Sequence, residues 1–206
     1  MLFLRKPSPR ALDSLRLERS SESFSYPHVG ATRSAPPAGW PVNHQRALLG
    51  RGPAAHERAV RALFSWRLLA IEGLAVYPST PTVEPRSEVA ILSRHLGIWS
   101  VDFCRVIYRL EEEPEADRTR LRTAFAYGTL PGHAVRGEEL FSIEWHLPTE
   151  EVWYDIFSFS LPATPLVRLA APLARATQRR FARASMENAA RLAQQEGPAP
   201  SGGGAG

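Results

Sequence analysis

Cysteine, lysine and long apolar runs are what this chain has least of. Cys104 is the single cysteine in 206 residues, so no internal disulfide forms, and no Cys/His cluster has zinc spacing. An oxidised secreted scaffold and a zinc module are both excluded, and no metal or other cofactor is expected. No apolar run reaches the ~18 residues of a membrane span, and the opening MLFLRKPSPR lacks the ~7-residue apolar core of a signal peptide. The expectation is a cytoplasmic protein without a transmembrane segment. Lys6 is the only lysine among 25 basic residues, and the net charge is +4. So one-sided a use of arginine reflects codon bias in a GC-rich genome more than a designed nucleic-acid surface, and no specific nucleic-acid partner is expected. What is present, 44% hydrophobic residues with 18 Pro and 14 Gly, suits one globular domain, which at this size buries roughly 70% of its unfolded surface.

The chain divides into a flexible arginine-rich arm (1–22), a single α+β domain (23–195) and a disordered tail (196–206) ending in Gly-Gly-Gly-Ala-Gly. Pro27, Gly30, Pro36, Pro37, Gly39 and Pro41 favour extended segments and turns before residue 52, with a short strand at 24–32. Pro53 starts a helix running to about residue 71, with Val60, Leu63, Phe64 and Leu68 on one stripe. Pro78, Pro81 and Pro85 make 74–87 a connecting loop. Strands follow at 88–94, 98–110, 120–129, 138–146 and 152–160, with an acidic hairpin tip at 111–118. A last helix spans about 165–194. Its stripe is Leu166, Leu169, Leu173, Thr177, Phe181, Ala184, Asn188 and Leu192, with Arg168, Arg175, Arg179, Arg183 and Arg191 elsewhere on its surface. Short strands on short loops imply an antiparallel sheet. By analogy of element order, the fold is α+β, a curved antiparallel sheet wrapped around a long C-terminal helix, the helix-grip architecture of START and Bet v 1-like domains. Such a fold leaves room for an apolar cavity between sheet and helix.

The segment FAYGTLPGHAVRGEELF, from Phe125, is where chemistry concentrates. Tyr127 and Thr129 end a strand, Pro131-Gly132 turns the chain, and His133 sits just beyond it. An imidazole titrates near neutrality and serves as acid or base. Glu138 and Glu139 alternate across a strand, so only one faces a cavity beside Phe141 and Ile143, and that one is Glu139. A carboxylate among apolar groups needs a partner, for which Arg105 is the first candidate. Arg105, Tyr127, Thr129, His133 and Glu139 are therefore the expected ligand-binding set. Two functions follow from it: binding of a small hydrophobic or amphipathic molecule, or a hydrolase or isomerase in which His133 and Glu139 move protons. A structural Glu–Arg pair is the bland alternative. A third class uses the arginine face of the last helix against nucleic acid or an anionic surface. Gly50-Arg51-Gly52 is no P-loop, Ser158 and Ser160 sit on no nucleophile elbow, and Cys104 reads as a small core residue.

FAYGTLPGH followed by GEE-x-F, CRVIY, VGAT, LGRG and PLARATQRRFARA together resemble the family called domain of unknown function 1990, or uncharacterised protein family 0548, of bacteria and plants. The likeness runs over about 26–192. It implies a single domain and highlights Tyr127, Gly128, Thr129, Pro131, Gly132, His133, Gly137, Glu138 and Glu139 without assigning them roles. The arginine-rich arm and glycine-rich tail depart from the family pattern.

Overall fold

Five strands that follow one another in the chain also lie side by side. These are β4 (Glu88–His95), β5 (Ile98–Pro114), β6 (Arg120–Thr129), β7 (Val135–His146) and β8 (Glu151–Pro162), all antiparallel to their neighbours. The computed structural model describes residues 1–95, 97–114, 118–169 and 171–195. One edge is extended by β3 (Leu74–Tyr77) on β4, the other by β2 (Val42–Arg51) on β8, so the order is β2-β8-β7-β6-β5-β4-β3. The first strand, β1 (Leu2–Phe3), pairs with the start of β5. Two long helices, α2 (Pro53–Phe64) and α4 (Ala171–Gln194), pack over the concave face, and α3 (Pro165–Leu169) precedes α4. The result is a curled antiparallel half-barrel closed by its C-terminal helix.

Alternation along each strand builds the core. Val89 and Ile91, Cys104 and Val106, Phe125 and Tyr127, Phe141 and Ile143, and Val152, Tyr154 and Ile156 all face the helices. The intervening residues face the convex side. Small residues on α4, Ala182, Ser185, Ala189 and Ala193, let its backbone approach the sheet. Two polar groups on that face are used at once. The Ser185 hydroxyl donates to the Leu68 carbonyl at 2.9 Å and the Asn188 amide to that of Arg67 at 2.7 Å. They tie α4 to the 3₁₀ turn Arg67–Leu69. The buried stripe is thus Ala182, Ser185, Asn188, Ala189 and Leu192, rotated from the expected one, with Phe181 and Ala184 only half-buried. The side chains of Leu166, Leu169, Leu173 and Thr177 lie outside the described residues.

Several sequence expectations need correction. The N-terminal arm is packed rather than flexible. Ser8 caps α1 (Pro9–Arg19) by accepting from the Ala11 N–H at 3.3 Å, and Pro9 takes the first turn, where no donor is lost. Leu12 is then 2% exposed against Val101, Phe103 and Leu130 on the convex face. Residues 24–32 form no strand; the strand on that side is β2, whose partner β8 lies about a hundred residues away in sequence. The helix that Pro53 starts, α2, ends at Phe64, not near residue 71, because Trp66 turns left-handed (φ 59°) to bury its ring. The expected 74–87 loop begins as edge strand β3. The expected hairpin tip is β-strand through Pro114, residues 115–117 being outside the described set, as is the 196–206 tail.

Candidate functional site

Strands β6 and β7 pair with Tyr127 directly opposite Glu139. The Tyr127 hydroxyl donates to Glu139 Oε2 at 2.6 Å. The Tyr127 ring lies parallel to that of Trp66, centroids 6.1 Å apart, and packs on Phe141. Burial pushes the Glu139 carboxyl above its ordinary range, with the tyrosine bond opposing. Burial, then the nearby Glu139 charge, likewise raises the Tyr127 phenol. The pair sets the Glu139 carboxyl in a largely apolar surrounding.

Past the Pro131-Gly132 turn, His133 Nδ1 accepts from the Val135 N–H at 3.1 Å, which leaves the proton of the neutral ring on Nε2. Asp102 Oδ1 lies 3.9 Å from that Nδ1 and accepts from the Ala134 N–H at 3.3 Å. Burial pushes His133 below the usual histidine value, and Asp102 opposes.

These groups line one cavity of about 190 Å³ between the concave face, the Leu69–Leu74 segment and α4. Its apolar wall includes Ile91, Phe141, Ile156 and Phe181. Its polar wall holds Asp102, Tyr127, Thr129, His133 and Glu139.

Four of the five expected site residues therefore meet. Thr129 does so with its hydroxyl occupied, sharing a 2.6 Å hydrogen bond with the Ser25 hydroxyl and accepting from the Gly137 N–H at 3.0 Å. Arg105 does not join them. It pairs with Glu88 at 2.6 Å and donates to the carbonyls of Arg19, Ser20 and Glu22 at the C-terminal end of α1. The reason is alternation: with Cys104 and Val106 both in the core, Arg105 between them must face the convex side. Glu139 thus has no arginine partner among the described residues, and its hydrogen-bond partner there is the Tyr127 hydroxyl.

Sequence reasoning missed Asp102, which shares a face with Cys104, and Ser93 and Ser158, which alternate with buried hydrophobics. It also missed what Glu138 does. On the convex side this carboxylate accepts from the Tyr26 hydroxyl at 2.8 Å, the Gly30 N–H at 2.7 Å, the Thr32 N–H at 2.9 Å and the Thr32 hydroxyl. It pins the 24–33 segment to the sheet. Gly128, in register with Glu138, leaves the room: a Cβ there would collide with the Tyr26 and Phe24 rings. VGAT, Val29–Thr32, is thereby explained as the donor loop for Glu138.

Cys104 is fully buried and its thiol is pushed up by burial, as a core residue's would be. The expected last helix of about 165–194 is described as two helices, α3 and α4: Arg168 on α3 and Arg179, Arg183 and Arg191 on α4 are exposed, and the Arg175 side chain is outside the described residues. Among the described residues no three His, Cys, Asp or Glu side chains group as metal ligands, and no helix is long and apolar enough to cross a membrane.

An antiparallel half-barrel gripping a C-terminal helix, with a cavity between them, defines the helix-grip class. The architecture agrees with a solved structure at low identity: a hypothetical protein of Helicobacter pylori, jhp0584, aligns with a TM-score of 0.52 at 10% identity, over 84% of this chain and 96% of that one. The family is settled by sequence. The model for the domain of unknown function DUF1990 matches residues 25–188. A UPF0548 protein of Deinococcus radiodurans is 36% identical over 197 residues, 89% of this chain and 94% of the relative. A UPF0548 protein of Arabidopsis thaliana is 36% identical over 149 residues, 72% of this chain and 71% of the relative. The chain belongs to the DUF1990, or UPF0548, family.

Proposed function

We propose that this protein binds a small hydrophobic or amphipathic molecule in the cavity between the sheet and α4. The observation that carries the reading is a largely apolar cavity of about 190 Å³ in which the Glu139 carboxyl has the Tyr127 hydroxyl as its side-chain hydrogen-bond partner among the described residues. Its volume bounds the ligand. A cavity of about 150 Å³ holds benzene, whereas drug-sized ligands need about 300 Å³ or more. The ligand is thus a single substituted ring or a short chain, its polar end hydrogen-bonding to the Tyr127–Glu139 pair. Calorimetric titration with monocyclic aromatics such as toluene and benzyl alcohol tests the reading. Saturable binding that disappears in Ala182→Phe, which fills the cavity from α4, is the expected result. Absence of saturable binding by any such ligand to the folded wild type overturns it.

One observation favours an enzyme at the same place. Burial moves Glu139 up and His133 down, so an acid and a base of converging strength face one cavity. In this reading His133 and Glu139 exchange protons with the ligand, as in a hydrolase or isomerase. A substrate screen decides it: turnover that survives both His133→Ala and Glu139→Gln removes the proposal.

A further inference from the structure

The β1 strand is held firmly yet presents large aliphatic side chains to solvent. The Val101 N–H donates to the Met1 carbonyl at 2.8 Å, and Phe3 packs on the cluster around Leu12, Val101 and Phe103. Leu2, on the other face, and Leu4, in the bend just past the strand, are 76% and 85% exposed. β1 pairs on β5 as Leu2 with Ser100 and Phe3 with Trp99, and Ile98, where β5 begins, is 40% exposed. Ser100 is opposite Ser93, a cavity-lining residue, so Leu2 and Ile98 continue the concave face beyond the cavity, with Leu4 next to them in the chain. Basic groups flank them. Arg5, Lys6 and Arg10 are exposed, and no acid occurs in the chain before Asp13. Lys6 Nζ lies 5.4 Å over the ring of Trp99, on the opposite face of the same ribbon.

We infer that this ribbon end, Leu2, Leu4 and Ile98 with Arg5, Lys6 and Arg10, is a docking surface for an anionic lipid bilayer. Exposed aliphatics fixed by backbone pairing keep a cost in water that insertion among acyl chains removes. A protein partner would also cover them, but three exposed cations that form no ion pair among the described residues match a phospholipid surface, where each adds roughly a fivefold gain in binding. The surface is peripheral: the aliphatics reach the headgroup–acyl border while the domain stays in water.

The inference stands apart from the cavity reading, since it requires no ligand. Its test is co-sedimentation of the full chain with phosphatidylcholine vesicles, with and without phosphatidylglycerol. Binding is expected only to the anionic vesicles, weakening as salt is raised. The double variant Leu2→Ser, Leu4→Ser should lose binding by tenfold or more, and Arg5→Glu, Lys6→Glu by a comparable factor. Both alter exposed positions, and their melting temperatures verify that they fold. Equal binding by the serine variant and the wild type, or no binding to anionic vesicles, overturns the proposal. So does a dimer in solution that the serine variant converts to monomer without any vesicle binding.

Discussion

Glu138 and Glu139 are neighbours in the chain with opposite fates. Glu138, on the convex face, is met by donors from Tyr26, Gly30 and Thr32. Glu139, on the concave face, has Tyr127 alone among the contacts described. The convex side also holds an ion-pair cluster: Arg46 lies 2.7 Å from Glu144 and 3.0 Å from Asp155, and His44 lies 2.7 Å from Asp155. The contrast teaches where this sheet uses its polar groups. At Glu138 buried charge is matched donor by donor, at Glu144 and Asp155 it is paired with Arg46, and both act as fasteners. On the concave side an acid is left short of partners beside open space, the arrangement that leaves a group free for a ligand.

The comparison is sharpened by four measurements. Glu138→Ala should have the largest effect, a loss of about 3–5 kcal/mol in denaturant unfolding, because it strands the Tyr26 hydroxyl and two backbone N–H groups in a buried place. Glu139→Ala costing as much would erase the distinction between the two sides. Gly128→Val comes next, at about 1–3 kcal/mol, since its side chain must displace the Tyr26 and Phe24 rings; loss of the 24–33 protection in hydrogen exchange would locate the damage.

Glu139→Gln should be mild and of the opposite sign. The folded-state value of Glu139 is raised, so the stability tied to it is fully present below the ordinary carboxylate range and is lost as pH rises through the raised value. Glutamine keeps an acceptor for Tyr127 and cannot ionise. The variant should therefore match wild type near about pH 4 and melt higher, by a few degrees at most, near about pH 8. A melting curve lower than wild type at the higher pH would show that the ionised carboxylate is stabilised, contrary to the account here.

The smallest effect concerns His56, buried at the start of α2 with its ring stacked on Trp145 at 4.9 Å. Burial lowers its value, so its contribution is present above the ordinary histidine value and is lost as pH falls through the lowered one. His56→Phe keeps the stack and should reduce the acid sensitivity of melting by about 1 kcal/mol or less below about pH 6. Unchanged acid sensitivity would place the acid-labile groups elsewhere, on the Arg46 network for instance.

Much of the site was legible because it depends on local periodicity. Alternation in β7 separates Glu138 from Glu139, and alternation in β5 sends Arg105 away from Cys104 and Val106. That second inference was available from the sequence, since a core Cys104 already forbids a core-facing Arg105. β2 was hidden for a different reason: its burial alternates only between exposed and half-buried positions until Leu49, so it carries almost no hydrophobic signal.

By itself the sequence determined the α+β class, the five consecutive antiparallel strands, the closing by a C-terminal helix and the face on which each glutamate lies, because turns and a period of two are properties of neighbouring residues. Only the tertiary structure decided who meets whom: Glu138 with the loop around Gly30, Arg105 with Glu88 and the end of α1, Tyr127 with Trp66, and the N-terminal arm with the convex face. Those contacts join residues tens to a hundred positions apart. Their choice rests on which buried polar groups and which apolar faces are still unsatisfied once the sheet has curled, and no short stretch of sequence contains that information.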